Sequence, residues 1–197
     1  MLLSRRLHKT RSGAAAVEMA VVMNFVMLPL MIGLWEMGRL IQVQQILCNS
    51  AREGSRLGAQ AYTINEDGST TQIATEIPPA SNTTYQPNIK ASVMQTLYGS
   101  GLKNLTWADV DVVFAWLDQP NKPDGTQAPE GPSTSNPSPY KGIKGQRFQL
   151  TVTIKDFKKV RWVNLGLVNP STVIAVVQWQ ILVDDPFTVN TTLPTWD

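Results

Sequence analysis

Apolar positions divide this 197-residue chain into one long helix followed by a region of alternating strands. Residues 13–35 read GAAAVEMAVVMNFVMLPLMIGLW and are apolar almost throughout. From residue 34 to about residue 61, apolar side chains recur at steps of three and four with polar residues between them. The pattern therefore predicts a continuous helix over residues 14–61, about 70 Å long at 1.5 Å per residue.

The remainder, residues 62–197, predicts one α+β domain. Helical spacing covers residues 88–99, and β-branched or aromatic residues favour strands over 110–117, 147–157 and 172–183. The connections are too short for repeated βαβ units, so the sheet should be antiparallel, with three or four strands. We expect it to pack against the second half of the long helix.

The segments between these elements are rich in Pro, Thr, Ser and Asn. Residues 63–86 predict an irregular connection. Residues 118–145 contain six of the 13 prolines and predict a mobile surface loop that supplies no packed element, with a binding or subunit-contact loop as the alternative. Residues 158–168 favour a solvated strand edge or bend over a lipid-headgroup patch. The tail, residues 184–197, is expected on the surface.

The first half of the helix, residues 14–35, is long enough to cross a bilayer core, which needs ~20 apolar residues. Its only charge is Glu18. Residues 1–13 contain four Lys or Arg residues and no acid. Positive charge before an apolar span keeps that end cytoplasmic, so the rest of the chain should be exported. Residues 36–61 are then the half of the helix that docks on the domain.

The net charge and the small number of His and Cys residues exclude several classes of function. Without residues 1–13, 13 basic residues face 15 acids, a net charge of −2, so no basic surface for nucleic acid is expected. His8 is the only histidine and lies in this leader, which removes histidine-dependent catalysis from the folded part. Cys48 is the only cysteine, and a small helical residue is favoured over an intermolecular disulfide. No metal or cofactor is expected.

An enzyme is also not expected. Acid pairs occur at Asp109 with Asp111 and at Asp184 with Asp185. Their adjacent or alternate placement on strands or turns gives no reason for them to converge on a substrate.

The position of Glu18 indicates how the leader is processed. A secretory cleavage site should follow the apolar region, whereas the small residues Ala14–Ala16 come before most of it. Cutting after Gly13, as in a prepilin, leaves Ala14 as the N-terminus and Glu18 at position five. A charge inside a span costs a few kcal/mol and suggests a partner. In a pilus that partner is the α-amino group of an adjacent subunit. The alternative is an ordinary carboxylate near the headgroups.

Four groups of residues carry a family resemblance over about residues 11–56: Gly13–Glu18, Pro29, Glu36–Arg39 and Ala51–Arg56. With this spacing the chain resembles the TadE-like family, pilin-like proteins of the tight-adherence (Flp, type IVc) pilus systems. Met19 stands where these prepilins usually carry an aromatic residue. The charged and glycine positions of the family motif are Glu36, Arg39, Arg52, Glu53, Gly54 and Arg56.

The resemblance implies cleavage by a prepilin peptidase, an aspartic membrane protease, and a role as a minor pilin or pseudopilin in pilus assembly for surface attachment. It implies as partners the peptidase, other pilins, the inner-membrane platform proteins of the pilus and the lipid bilayer. The expected location is the bacterial inner membrane, and the extracellular pilus after assembly. The competing hypothesis is an uncleaved single-pass protein whose exported domain binds a partner or ligand.

Three residues of the helix have predicted structural roles. Pro29 removes a hydrogen bond in the middle of the span and predicts a kink or local melting. Gly33 and Gly38 allow close approach of another helix. Glu36 and Arg39, three residues apart, are spaced to pair on one helix face.

Overall fold

The N-terminal part of the protein is one long helix. In this computed structural model, which describes residues 11–77, 86–122, 124–133, 136–160 and 170–182, the helix comprises α1 (Arg11–Val22), a π-helical turn (Met23–Met27) and α2 (Leu28–Gln60). The predicted continuous helix is confirmed. Residues 1–10, 161–169 and 183–197 lie outside the described residues, and with them most of the leader, part of 158–168 and the whole tail at 184–197.

Pro29 disturbs the helix without interrupting it. The proline has no N–H to donate to the carbonyl of Phe25, four residues earlier. The π turn at Met23–Met27 includes Phe25 and ends two residues before Pro29. A π turn is one of the local adjustments by which a helix accommodates such a missing donor. The helix therefore changes type just before Pro29, and the predicted kink or local melting there stays a prediction.

A three-stranded antiparallel sheet forms the second layer, as predicted. It contains β3 (Val110–Trp116), β4 (Arg147–Ile154) and β5 (Val173–Gln180), with β4 in the centre. In addition, α3 (Ile89–Gly99) begins at Asn88, whose side-chain oxygen accepts a hydrogen bond from the backbone N–H of Ala91 at 2.8 Å. The predicted α+β class is confirmed.

The segment after the long helix is more regular than its composition indicates. Residues 62–72 form an antiparallel hairpin from β1 (Tyr62–Ile64) and β2 (Thr70–Gln72), so the prediction of an irregular connection from residue 63 is wrong there. The turn contains Gly68 at φ 80°, and the Asp67 carboxylate accepts a hydrogen bond from the backbone N–H of Ser69 at 2.9 Å. A glycine at positive φ and an aspartate that bonds the backbone two residues on are local turn devices that the polar composition does not reveal.

The core lies between the inner face of the sheet and the two helices α2 and α3. Alternate residues of β4, from Phe148 to Ile154, are fully buried, whereas those between them are partly exposed. The rings of Phe114 and Phe148 stack with centroids 4.6 Å apart, and Trp116 meets Phe114 edge-on at 4.9 Å. This aromatic cluster fills the end of the core farthest from the apolar half of the helix.

The proline-rich loop packs against the open edge of β3. The Asn136 side-chain oxygen accepts a hydrogen bond from the backbone N–H of Phe114 at 2.8 Å. Gln146 is fully buried, and its amide donates to the carbonyls of Asp118 at 2.9 Å and Glu130 at 2.6 Å. The prediction that residues 118–145 supply no packed element is therefore wrong, because amide side chains provide hydrogen bonds that composition does not reveal.

The edge of β5 is held by α2. The Gln44 amide donates to the carbonyl of Ile174 at 2.9 Å, and the backbone N–H of Leu182 donates to the carbonyl of Ala59, also at 2.9 Å. These bonds tie both ends of the strand to the helix, so α2 runs alongside the whole edge. Within the described residues, a helix and a loop thus cover the two edges of the sheet.

Candidate functional site: the apolar helix and its base

Within the described residues, nothing covers the apolar half of the helix. Every residue from 13 to 31 is exposed, and Phe25, Met31 and Leu34 are 77%, 67% and 67% exposed. By length and composition, the helix from Gly13 to Gln60 can cross a membrane, and none of its most apolar part is buried. Apolar surface in water costs about 25 cal/mol per Å². This surface therefore requires lipid or another protein around it.

The residues of the predicted cleavage site lie at the start of this exposed helix. Gly13, Ala14 and Glu18 are all in the first turns of α1 and all exposed. Glu18 remains the only charge between Gly13 and Trp35. Cleavage after Gly13 and pairing by Glu18 stay predictions, and the geometry leaves all three residues accessible.

The glycines of the helix fall into two groups. At Gly33 and Gly38 no atom of the described residues lies within 4 Å of an added Cβ, so the described part of the chain makes no close helix approach there. At Gly54, an added Cβ would lie 2.7 Å from Cγ2 of Val93, and at Gly58 it would lie 2.9 Å from Cδ1 of Ile89. The close approach within this chain is thus between α2 and α3.

Sequence reasoning assigned Gly54 to the family motif but did not predict its packing role. The signal was present as two parallel rows of small residues with a spacing of four, the pattern that lets helices approach closely. All six residues are buried: Ser50, Gly54, Gly58, Ala51, Ser55 and Ala59.

Arg39 fastens α2 to the turn that follows β4. Its Nε and Nη2 donate to the carbonyl of Val160 at 3.2 and 3.1 Å, and its Nη1 donates to Gln42 at 2.9 Å. Glu36, one turn earlier, is buried. A charged guanidinium that grips one carbonyl with two donors is a strong, directional contact. The junction between the exposed and the packed half of the helix is therefore fixed.

A second contact ties the same turn to the start of β3. Lys159 Nζ donates to Asp109 Oδ1 at 2.7 Å, and Asp109 Oδ2 accepts from the hydroxyl and the backbone N–H of Thr106 at 2.6 and 2.8 Å. These bonds, first of all that of Lys159, lower the pKa of Asp109 from its ordinary 3.8 to about 2. Val160 follows Lys159 directly, so Arg39 and Asp109 hold adjacent residues of one turn.

The last charged residues of the family motif point away from the core. Arg52, Glu53 and Arg56 are exposed, and Arg56 Nη1 lies 4.0 Å from Glu53 Oε2. Gly54, between them in sequence, faces α3. The motif therefore serves two faces of the helix, one packed and one open.

An open groove of about 330 Å³ lies beside the base of the helix, between α2 and the segment that leads into β5. Its apolar lining consists of Leu40, Ile41, Pro170 and Val173. Ile41 is 53% exposed, so the apolar surface continues past the end of the membrane-length stretch.

Within the described residues there is no group of three or more His, Cys, Asp or Glu side chains placed to hold a metal ion. Cys48 is a free, half-buried thiol that lies 3.9 Å from the Gln44 amide nitrogen.

Residues 13–56 match the sequence profile of the family described as TadE-like protein. This match confirms the resemblance found in the sequence. The matched residues include the exposed helix, Arg39 and Gly54. No curated protein and no solved structure matches the chain.

Proposed function

We propose that this chain, whose residues 13–56 are TadE-like, is a minor pilin or pseudopilin that assembles into, or primes, a tight-adherence (type IVc) pilus for surface attachment. A prepilin peptidase cuts it after Gly13, and its role is structural and not enzymatic. The observation that carries the proposal is a fully exposed apolar helix with a single charge, Glu18, whose other half is built into a small α+β domain.

A membrane-anchored protein fits the exposed helix, and we infer its orientation from the basic leader. The N-terminus is cytoplasmic, the helix from Ala14 to Trp35 spans the inner membrane, and the domain is exported. Lipid tails are as apolar as leucine side chains, so the helix can exchange lipid for neighbouring helices at small cost. The same surface thus serves storage in the membrane and packing in the filament.

The charge of Glu18 has a different energetic cost in the membrane and in the filament. In the bilayer its carboxylate lacks a partner and costs a few kcal/mol. Cleavage after Gly13 would create an α-amino group on Ala14, and that group on an adjacent subunit would offer a charge of opposite sign. Pairing would offset the cost and set the axial register between subunits.

The contacts at the base give the proposed subunit a rigid link. Arg39 and Asp109 hold one turn, so α2 is fixed to the domain at Arg39, close to where the exposed helix ends. The apolar groove with Leu40 and Val173 extends the surface available to a neighbouring pilin or to the inner-membrane platform proteins.

Replacing Glu18 tests the register. In cells with an active pilus system, Glu18→Val should insert and be cleaved normally, because the span becomes more apolar, but it should be depleted from sheared pili. Glu18→Gln, which keeps the side-chain size, should show the same defect. The measurements are the N-terminal sequence of the membrane form and the amount of the protein in the pilus fraction. Normal incorporation of both variants would contradict the role of Glu18.

Replacing Gly13 tests the processing. Gly13→Leu should retain residues 1–13, because the peptidase subsite would not accept a larger side chain. Gly99→Leu is a suitable control, since Gly99 ends α3 and no described atom lies within 4 Å of an added Cβ. Intact mass of the protein from native membranes separates the outcomes. A wild-type chain that keeps its leader in an active system would favour an uncleaved single-pass anchor whose domain binds a partner.

A further inference from the structure

A stripe of exposed apolar side chains runs along α2 and continues past the membrane-length stretch. Its members follow one another at steps of four, three and four residues, which is the spacing of the a and d positions of a heptad. They are Leu30, Leu34, Met37 and Ile41, which are 46% to 67% exposed. We call this stripe the seam. Its spacing suits a second helix that carries the same spacing.

The seam faces away from the domain. Glu36, Val43 and Ser50 are buried and lie seven residues apart, so they belong to the face of α2 that packs on the domain. Glu36 and Val43 each follow a seam residue, Leu34 or Ile41, by two positions. Two positions correspond to about 200° around a helix with 3.6 residues per turn. The domain therefore packs on the opposite side of α2 and leaves the seam accessible to another helix.

The upper end of the seam favours a protein partner over lipid. The span from Ala14 to Trp35 is about 33 Å long at 1.5 Å per residue, which matches the ~30 Å of a hydrocarbon core. Met37 and Ile41 lie about 3 and 9 Å past its end. Among the described residues of α2 beyond Trp35, these two are the exposed large apolar side chains. Lipid tails do not reach Ile41, whereas a second helix that continues past the membrane does.

The surroundings of the seam also suit a second helix. Gly33 and Gly38 lie on its two sides, and at both glycines no described atom lies within 4 Å of an added Cβ. Small residues beside an interface let helix backbones approach closely. The charged residues next to the seam are turned towards the domain, since Glu36 is buried and Arg39 donates to the carbonyl of Val160. The accessible face is therefore apolar and uncharged.

We propose that two copies of this chain pair along the seam as a parallel dimer in the membrane, with each seam residue opposite its own copy. A two-fold interface must be complementary to itself, and an uncharged apolar seam meets this condition. Copies inserted into one membrane share direction and depth, so the pairing requires no shift along the axis. The dimer rests on the membrane insertion inferred above, and not on cleavage or assembly.

The proposed dimer differs in register from the proposed filament. Pairing of Glu18 with the α-amino group of Ala14 on an adjacent subunit requires a shift of four residues, about 6 Å. Met37 and Ile41 are also four residues apart. The shift would therefore bring Met37 of one copy beside Ile41 of the next, so the stored and the assembled forms use one surface in two registers.

Disulfide cross-linking tests the in-register pairing. The purified full chain is placed in vesicles of phosphatidylcholine and phosphatidylglycerol, in a Cys48→Ser background that removes the only cysteine. Under a mild oxidant, Ile41→Cys should form a covalent dimer severalfold faster than Gln42→Cys. Gln42 is the matched control, because it is exposed and adjacent in sequence but lies about 100° farther around the helix.

Energy transfer between labelled copies in the same vesicles measures reversible pairing. Gly38→Leu should raise the dissociation constant of the dimer about tenfold or more, because the larger side chain holds the two backbones apart. The domain of this variant should keep its unfolding midpoint, since the added side chain meets no described atom. Gly99→Leu, at the end of α3, should associate like wild type.

The proposal is overturned if the inserted wild-type chain stays monomeric at the density of the native membrane, if Gln42→Cys cross-links as fast as Ile41→Cys, or if Gly38→Leu associates like wild type. Cross-linking of Ile41→Cys in native membranes to a different protein alone would also overturn it.

Two readouts separate the dimer from the proposed function. Resistance to extraction by alkaline carbonate reports insertion, so an inserted but monomeric chain contradicts the dimer alone, whereas an extractable chain contradicts both. Gly13→Leu, which should keep its leader, should still pair like wild type. Failure of processing is thereby distinguishable from failure of dimerisation.

Discussion

The two halves of the long helix have similar secondary structure and opposite surroundings. Residues 13–31 are exposed throughout, whereas Val43, Leu47 and Ala51 in the second half are fully buried. The exposed half is the more apolar of the two. Burial within this chain follows from where α3 and the sheet pack against α2, and not from hydrophobicity alone. The strongly apolar half is thus the one with no partner in the described part of the chain. The moderately apolar half is the one that packs against α3 and the sheet.

Enlarging a glycine in each half should give the largest contrast. Gly54→Leu should lower the free energy of unfolding by about 3 kcal/mol, since even its Cβ would lie 2.7 Å from Val93 and 3.1 Å from Ile89. Gly38→Leu should not destabilise the domain, because no described atom lies within 4 Å of an added Cβ. Denaturant unfolding of both variants in micelles measures the difference, and equal losses would contradict the distinction between the halves.

Removing a charge at the junction should have the next largest effect. Arg39→Ala should lower the free energy of unfolding by about 2 kcal/mol, because the variant loses two hydrogen bonds from a charged donor to the carbonyl of Val160. Arg56→Ala is the matched control: its pair with Glu53 is exposed and 4.0 Å long, so about 0.5 kcal/mol or less is expected. Similar unfolding midpoints for the two variants would show that the base contact does not stabilise the junction.

The pH dependence of Asp109 gives the smallest and most specific effect. Its pKa is about 2 in the folded protein, below the ordinary 3.8, so the carboxylate stabilises the fold above about pH 4 and loses this contribution as the pH falls towards 2. Asp109→Asn should cost about 1 kcal/mol at pH 7, since the partly exposed Lys159 is screened by solvent.

The stability difference between wild type and Asp109→Asn should shrink between pH 4 and pH 2, which urea unfolding at several pH values measures. Asp111→Asn is the control, because Asp111 lies two residues later, on β3, and is 3.9 Å from Lys155, with both side chains about half exposed. A difference that stays constant down to pH 2 would mean that Asp109 is not held in its charged form.

Local patterns predicted the elements, because periodicity and capping residues are close in sequence. The long helix, the helix at residues 88–99 and the three strands of the main sheet could all be predicted in this way. The packing of the proline-rich loop could not, since Asn136 bonds to Phe114, 22 residues away, and no pattern links them. The hairpin at residues 62–72 could have been predicted from Asp67-Gly68, a signal outweighed by the surrounding polar residues.

The residues of the candidate site also differ in how far the sequence alone could indicate them. Gly13 and Glu18 could be proposed from sequence, because a single charge in an apolar stretch that follows a basic leader is conspicuous. The partner of Arg39 could not, as Val160 is 121 residues away and contributes only its backbone carbonyl. Every residue type at position 160 presents nearly the same backbone carbonyl, so the contact leaves little trace in the sequence.

The closed edges of the sheet have a consequence for the protein at high density. A membrane confines its proteins to two dimensions, where domains meet often and in similar orientations. An open strand edge would then invite strand-by-strand polymerisation and, in time, cross-β aggregates. With Asn136 against β3 and Gln44 and Ala59 against β5, that route of growth is obstructed at both sides. Strand pairing between crowded copies is therefore disfavoured, even where their domains meet in the same orientation.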